Sequence, residues 1–283
     1  RPNGAQVSNG FAQLGVEIYG GPILATFTDR DLSLAGRVSY SDGQGHIAHQ
    51  RIRFDQSLLR IPNLAIHMNR SVNDEGLKLH KQTELLPLFA QLTQEQLPKL
   101  YFMQLLVQAT NLDVDQILSW DLAVYDTQKG TFWGAANEFY ANSQIDNLAS
   151  CHAGLQALLD EQVLNQSHDT LVCAFFDHEE VGSESHIGAA GSFLSDCLQR
   201  ITMALNLDRE DNARALANSF LISADMAHAY HPNFPNAYDV NHKVFVNQGP
   251  VIKSNANRRY SSESISIAQF IRWCQDANVP YQH

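Results

Sequence analysis

Residues 171–183, with the sequence LVCAFFDHEEVGS, join an apolar run to a strongly acidic turn. The first six residues predict a buried β-strand, and the carboxylates of Glu179 and Glu180 follow it almost at once. Burying two adjacent carboxylates is costly unless a proton or a cation compensates their charge. Because ligands of α/β proteins bind at strand ends, this acidic strand end is interpreted as a site rather than as packing.

Two further carboxylates stand in similar positions. Asp146 precedes a helical pattern, and Asp225 follows the apolar residues 221–222. Asp146 has an ordinary explanation, since an acidic side chain at a helix start is favoured by the helix dipole. For Asp225 the ordinary explanation is that exposed acidic side chains are common in loops. Together, acidic positions at three element ends predict a carboxylate cluster for divalent metal.

The neighbours Glu179 and Glu180 suit a division of labour at a hydrolytic metal site. Adjacent side chains point in different directions, so one can bind metal while the other takes a proton from water. His228 lies three residues after Asp225 and could face the same pocket, although a lone histidine is more often structural.

Composition bounds the class of protein. A chain of 283 residues that is 44% hydrophobic is long enough for two globular domains. The net charge of -11 argues against a nucleic-acid surface. No apolar run reaches about 18 residues, so we expect no membrane span. Four cysteines without a CxxC pair indicate reduced thiols in the cytoplasm and no thiolate zinc site. We expect no signal peptide, and both ends of the chain are expected to be cut from something longer.

The pattern changes near Asp126. Before it, turn-punctuated strands and two helical stripes predict an α+β domain. The predicted strands lie near 15–19, 23–27, 36–40, 46–54, 57–61 and 117–125, with a hairpin turn at 41–45, and the helical stripes run from 85 to 92 and from 97 to 106. After it, helices alternate with strands, which favours a sheet flanked by helices. The predicted helices cover 147–161, 187–205 and 262–278, and the strands cover 171–176 and the residues from 221 onward.

Other catalytic motifs are absent from the sequence. Residues 181–185 read VGSES and do not match G-x-S-x-G, and there is neither a Walker loop nor a G-x-G-x-x-G after a strand. Residues 188–191, GAAG, are interpreted as small residues that pack a helix closely.

As a set, these residues resemble the aspartyl aminopeptidase family of dizinc exopeptidases. The matching motifs keep their order along nearly the whole chain: FTDRDLSLAGR at 27–37, IPNLAIH at 61–67, IDNL at 145–148, DHEEVGS at 177–183, SADMAHA at 223–229, NQGPVIK at 247–253 and RY at 259–260. The resemblance implies an α/β fold, in which a mixed-sheet zinc peptidase domain flanked by helices is accompanied by an α+β dimerisation domain. Residues 1–125 would form the dimerisation domain and residues 126–283 a catalytic domain incomplete at both ends of the chain.

The resemblance also implies roles at a site with two Zn²⁺ ions per full-length chain. Asp146 would bridge the ions, Glu180 would hold one and Asp225 the other, while Glu179 would be the general base. The family places a zinc-binding histidine before Arg1 and another beyond His283. Without them, we expect the chain on its own to bind zinc poorly.

Substrate binding would fall to four other residues. His67 would reach the active site of a neighbouring subunit, and His228, Lys253 and Tyr260 would bind substrate. The resemblance implies peptides with N-terminal Asp or Glu as substrates, and Lys253 would explain this preference because a lysine can pair with an acidic side chain. Family members assemble from dimers into dodecamers. Two alternatives stay open: a catalytically impaired assembly or cargo-type particle on a peptidase fold, and another dimetal amidohydrolase.

Overall fold

The computed structural model describes residues 2–93 and 98–283. The chain divides into two compact units, the first of Arg1–Ser143 with Ala174–Asn218 and the second of Gln144–Cys173 with Ser219–His283. The domain boundary expected near residue 125 stays a prediction. No helix among the described residues is both long and apolar enough to cross a bilayer.

The strands of the first unit form antiparallel sheets in the orders β1-β2-β5, β4-β3-β6 and β7-β8. Their bounds are β1 (Pro2–Ser8), β2 (Phe11–Val16), β3 (Leu32–Ser41), β4 (Ile47–Arg53), β5 (Leu88–Gln91), β6 (Ile117–Asp126), β7 (Thr131–Trp133) and β8 (Phe139–Ala141). The helices of this unit are α1 (Val72–Glu75), α2 (Pro98–Thr110), α5 (Phe193–Ala204) and α6 (Arg209–Ala217), and those of the second unit are α3 (Ile145–Leu158), α4 (Glu161–Gln166) and α7 (Ser264–Asp276).

The hydrophobic core of the first unit surrounds the start of β3. Leu32 and Leu34 are almost fully buried, because their side chains belong to a cluster that also contains Leu122 of β6 and Phe102 of α2. The buried hydroxyl of Ser33 donates to the Phe54 carbonyl at 2.9 Å, which satisfies its hydrogen-bonding requirement. At Gly36 the strands approach so closely that a Cβ atom would overlap the Asp121 carbonyl oxygen.

Several predicted elements of the first half are confirmed. The strand at 117–125 is β6, and the hairpin at 36–54 is the β3–β4 pair, whose turn is held by Asp42 Oδ1 accepting from the N–H groups of Gln44 and His46 at 2.7 and 3.0 Å. The second helical stripe is α2, although its Leu97 lies outside the described residues. Residues 57–61 join the sheet through isolated bridges, such as Leu59 to Leu32.

Two local predictions in this half were wrong. The helix expected at 85–92 contains the strand β5 instead, because Pro87 cannot continue a helix and its carbonyl accepts from the Leu14 N–H at 3.0 Å. The strand expected at 23–27 is a 3-10 helix, Leu24–Phe27, in which Thr26 donates to the Ile23 carbonyl. The strand expected near 15–19 overlaps β2, which ends at Val16.

In the second half the helices are confirmed and the strands are not. The helices expected at 147–161 and 262–278 are α3 and α7, and α5 occupies the later part of 187–205. The backbone at 171–176 and at 221–225 forms no strand, because strands exist by pairing and no described neighbour pairs with these residues. Residues 188–191 precede α5 as a turn. Gly188 packs there against the Ser183 backbone, so the expected helix packing was wrong.

Candidate active site

The acidic turn, residues 177–183, is a compact hydrogen-bonded structure in the first unit. Glu179–Val181 form a 3-10 helix between His178 and Gly182, whose φ angles of 62° and 100° are left-handed. The Ser183 N–H donates to the His178 carbonyl at 2.9 Å, and His178 Nδ1 lies 2.6 Å from the Ser185 hydroxyl. The turn therefore holds Glu179 and Glu180 side by side on a defined backbone.

Both glutamates are exposed among the described residues. The predicted burial of these two carboxylates was therefore wrong, and water can solvate their charge. Burial was inferred from the apolar run before them, but Leu171, Val172 and Phe175 of that run are themselves exposed. What marks the site is the constrained turn rather than desolvation.

Tyr19 is a neighbour of the acidic turn that sequence reasoning missed. Its ring centroid lies 6.0 Å from that of His178. The pKa of Tyr19 is raised, first by desolvation and then by the negative charges of Asp177, Glu180 and Glu179. The sequence placed Tyr19 only at the end of a predicted strand, and no local pattern links it to residues so distant along the chain.

Asp146 stands where the first turn of α3 departs from helical geometry. Gln144 has a left-handed φ of 63°, and Asp146 has φ −81° and ψ 107°. The next residue, Asn147, donates from Nδ2 to the Ala224 carbonyl at 2.9 Å. This bond joins the IDNL motif to the segment that carries Asp225, within the second unit.

Lys253 lies close to two other predicted site residues, Asp225 and Tyr260, in the second unit. Its Nζ donates to Asp225 Oδ2 at 2.8 Å and to the Met226 carbonyl at 2.7 Å, and it lies 6.0 Å from the ring centroid of Tyr260. Only 24% of the lysine side chain is exposed, against 55% for Asp225. His228 is exposed on the same segment as Asp225.

The backbone before Lys253 is fixed by the end of the chain. The Ile252 N–H donates to the Gln282 carbonyl, and the Gln282 N–H donates to the Pro250 carbonyl, both at 2.9 Å. Ile252 is buried, which adds an apolar anchor next to the lysine. The ammonium group is thus presented from a held segment rather than from a free loop.

His67 lies in the first unit, exposed on the 3-10 helix Ile66–Met68. The loop before it is tied to Asp29, whose carboxylate accepts from Asn63 N at 3.1 Å and from Asn63 Nδ2 at 2.9 Å. The side-chain amide of Asn63 also donates, from Nδ2, to Thr28 Oγ1 at 2.8 Å. These bonds, led by the backbone N–H of Asn63, lower the pKa of Asp29. The FTDRD motif therefore anchors the IPNLAIH motif.

The side-chain oxygen atoms of the predicted metal-binding residues are of the chemical kind that binds a divalent cation. No described residue donates a hydrogen bond or forms an ion pair with the carboxylates of Asp146 or Glu180, and Asn147 Oδ1 is a buried acceptor left without a partner. Zinc binds such oxygen ligands but takes four ligands in total. In the described ranges, 2–93 and 98–283, no group of three or more His, Cys, Asp or Glu side chains is arranged to hold a metal.

Solved structures share this fold. A chain in a complex of Ape4 and Nbr1 matches with a TM-score of 0.92 and 36% identity, over 100% of this chain and 57% of that one. An M18 family aminopeptidase from Thermotoga maritima matches with a TM-score of 0.81 at 21% identity, over 100% of this chain and 64% of that one. The predicted α/β class is confirmed.

Sequence comparison then gives the family. The model for aminopeptidase I zinc metalloproteases (M18) matches residues 1–283, and the chain belongs to this family. It is 43% identical, over 284 aligned residues, to a probable M18 family aminopeptidase 2 of Pseudomonas paraeruginosa (strain DSM 24068 / PA7), covering 100% of this chain and 64% of the relative. A protein of the same name from Clostridium acetobutylicum is 42% identical, with 100% and 65% covered. The chain thus spans just under two thirds of the length of these curated relatives, and the predicted family resemblance is confirmed.

Proposed function

We propose that this chain carries catalytic and substrate-binding residues of an aminopeptidase that uses two zinc ions to release N-terminal Asp or Glu from peptides. Family membership supports the peptidase class. The arrangement around Lys253 supports the acidic substrate and is the observation on which the proposal depends.

Lys253 has the geometry of a carboxylate receptor. An ammonium group has three donors, and two of them are engaged by Asp225 and the Met226 carbonyl. The carbonyl bond would keep the ammonium in place if Asp225 turned to a metal ion. The third donor is left for the side-chain carboxylate of an N-terminal Asp or Glu, where a charge-assisted bond is strong.

Asp146, Glu180 and Asp225 would hold the zinc ions, with Asp146 between them. Bound zinc would acidify the attacking water and polarise the scissile carbonyl. Glu179 would accept the proton of that water and deliver it to the leaving amine. Its position beside Glu180 on one 3-10 helix supports this division, because consecutive side chains diverge.

His67 would act at the active site of a second subunit, while His228 and Tyr260 would contact the substrate. The exposed apolar side chains of Leu64, Ile66 and Met68 around His67 support a subunit contact at this loop. A solved structure of S. cerevisiae mApe1, which has the same fold, is of a dodecamer. We assign the same dimer-based assembly here, with residues 1–125 as the dimerisation domain, residues 126–283 in the catalytic domain, and a cytoplasmic location.

Metal analysis and a substrate series test the proposal on the native polypeptide. We expect about two zinc ions per chain and faster release of chromophores from Asp and Glu than from Leu. Zinc binding with a preference for Leu would favour another dimetal amidohydrolase. A protein that assembles without binding zinc would favour the non-catalytic particle.

A further inference from the structure

We propose that Gly20 is a positioning residue for Glu180, and so for the zinc ion that Glu180 is proposed to hold. The inference deepens the proposed function and rests on it for the role of Glu180. The contact itself is a property of the structure and can be tested without zinc.

Gly20 lies against the acidic turn at a distance that admits no side chain. A Cβ atom on Gly20 would lie 2.9 Å from Glu180 Cβ, 3.2 Å from the Glu180 carbonyl oxygen and 3.4 Å from Glu180 Oε2. The first two of these atoms are fixed to the backbone of the 3-10 helix, so no change of rotamer relieves the contact. Either the turn or the Tyr19–Gly20 segment would have to move.

The acidic turn has little freedom to absorb such a shift. Besides its internal bonds, the Asp177 N–H donates to the Ile187 carbonyl at 3.2 Å and the Ala190 N–H donates to the Ser183 carbonyl at 3.1 Å. Displacement at Glu180 would therefore be passed to its carboxylate. Zinc–oxygen bonds are held near about 2.0–2.2 Å, and changes to groups that orient a ligand typically reduce metal affinity about 10–100-fold.

Gly20 also has a left-handed φ of +74°, so alanine there is strained whatever it touches. The chain supplies a control for that strain. Gly43 has φ +75°, and a Cβ atom on it would meet no atom within 4 Å, while Gly21 has neither a left-handed φ nor a neighbour within 4 Å. Gly43→Ala thus measures the effect of backbone strain without a steric contact. Gly21→Ala measures the effect of adding a side chain at the position next to Gly20.

Zinc affinity, measured by competition with a chromogenic chelator in the native polypeptide, is the first readout. We expect Gly20→Ala to weaken binding of one zinc ion about tenfold, and Gly43→Ala and Gly21→Ala to bind zinc as the wild type does. Raising the zinc concentration should restore peptidase turnover in Gly20→Ala. Equal zinc affinity in Gly20→Ala and Gly43→Ala would overturn the positioning role.

Thermal unfolding of the metal-free proteins is the second readout. Replacing Glu180 with glycine removes its Cβ, so Gly20→Ala should cost less stability in an E180G background than in the wild type. The same comparison applies if Gly20→Ala alone does not fold, since the double variant should then recover a folded state. An unchanged penalty, or a double variant that stays unfolded, would overturn the contact. Absence of zinc from the wild type would instead overturn the proposed function, while the unfolding cycle still decided the contact.

Discussion

The strand β3 and the segment at 171–176 both contain residues predicted to form a strand, but they differ in burial and in pairing. Leu34 on β3 is 1% exposed, whereas Leu171 is 40% exposed and Val172 is 53% exposed. β3 has a partner on each edge, and the segment at 171–176 pairs with no strand in the described part of the chain. Apolar composition alone therefore did not decide burial: Leu34 belongs to the hydrophobic core cluster, and no residue of the described segment 171–176 does.

The comparison also separates residues that hold the fold from those proposed to perform chemistry. The core of the first unit contains aliphatic and aromatic side chains, while the proposed catalytic and metal-binding carboxylates are exposed, on a 3-10 helix, at a helix start and on an irregular segment. Substitutions of core residues should lower the stability of the protein, whereas substitutions of the proposed site residues should lower its activity.

The largest expected effect is on turnover. Glu179→Gln removes the proposed proton acceptor and should lower kcat about 10²–10⁴-fold, with zinc content and thermal stability unchanged. Glu184→Gln is the control, since Glu184 is also exposed and close in sequence. Steady-state kinetics with an Asp-linked chromophore measures the difference. Equal kcat in both variants would remove Glu179 from its role.

Core truncation should cost stability rather than chemistry. Leu34→Ala should lower the free energy of unfolding by about 3 kcal/mol, because it leaves a cavity in a packed core. Leu171→Ala removes the same atoms from an exposed position and should change the free energy of unfolding by about 0.5 kcal/mol or less. Urea denaturation of the two variants compares them directly. Similar losses would show that 171–176 is as well packed as β3.

Lys253→Ala should act on substrate choice. Loss of a charge-assisted hydrogen bond is worth about 2 kcal/mol, which corresponds to a fall of about tenfold or more in kcat/KM for Asp and Glu substrates. Leu substrates should change less. Lys243→Ala is a matched control, because Lys243 also lies over a tyrosine ring, at 5.2 Å from that of Tyr230. Equal losses for acidic and neutral substrates would refute the assigned pocket.

The smallest effect concerns the loop before His67. Asp29→Asn keeps the shape of the side chain but cannot accept from both donors of Asn63, and should cost about 1 kcal/mol, a value discounted for solvent exposure. Asp55→Asn, at an exposed ion pair with Arg53, is the control. Differential scanning calorimetry at neutral pH measures both.

The same variant has a defined pH dependence. The folded-state pKa of Asp29 lies below its ordinary value of 3.8, so its contribution is present above pH 3.8 and is lost as pH falls through the lowered pKa. The stability gap between wild type and Asp29→Asn should therefore shrink in acid. A gap that is constant from neutral pH downward would contradict the role of the ionised carboxylate.

Sequence reasoning succeeded where the determinant was local or where motifs kept their order. The alternation of Trp120, Leu122 and Val124 predicted β6, and the turn at 41–45 predicted the hairpin. The ordered motifs predicted the family. The strand at 171–176 failed because strand formation depends on a partner that the segment does not encode.

In the candidate site, too, local features could be predicted from the sequence and contacts between distant residues could not. The carboxylates that follow an apolar run identified the turn at 177–183, but the contacts of Tyr19 and Gly20 with it join residues remote in sequence. Likewise, the bond from Lys253 to Asp225 links two motifs that could be recognised separately but not placed together. Tertiary contacts of this kind leave no periodicity in a single chain.

The close approach of β3 and β6 at Gly36 affects how a saturation screen of this protein would be interpreted. Any side chain there would meet the Asp121 carbonyl and force β3 and β6 apart. An enrichment screen scored by peptide hydrolysis would rank Gly36 among the most intolerant positions, beside Glu179, although it touches no substrate. Scoring protein abundance in parallel would separate the two, since variants at Gly36 would disappear from both scores and variants at Glu179 from one.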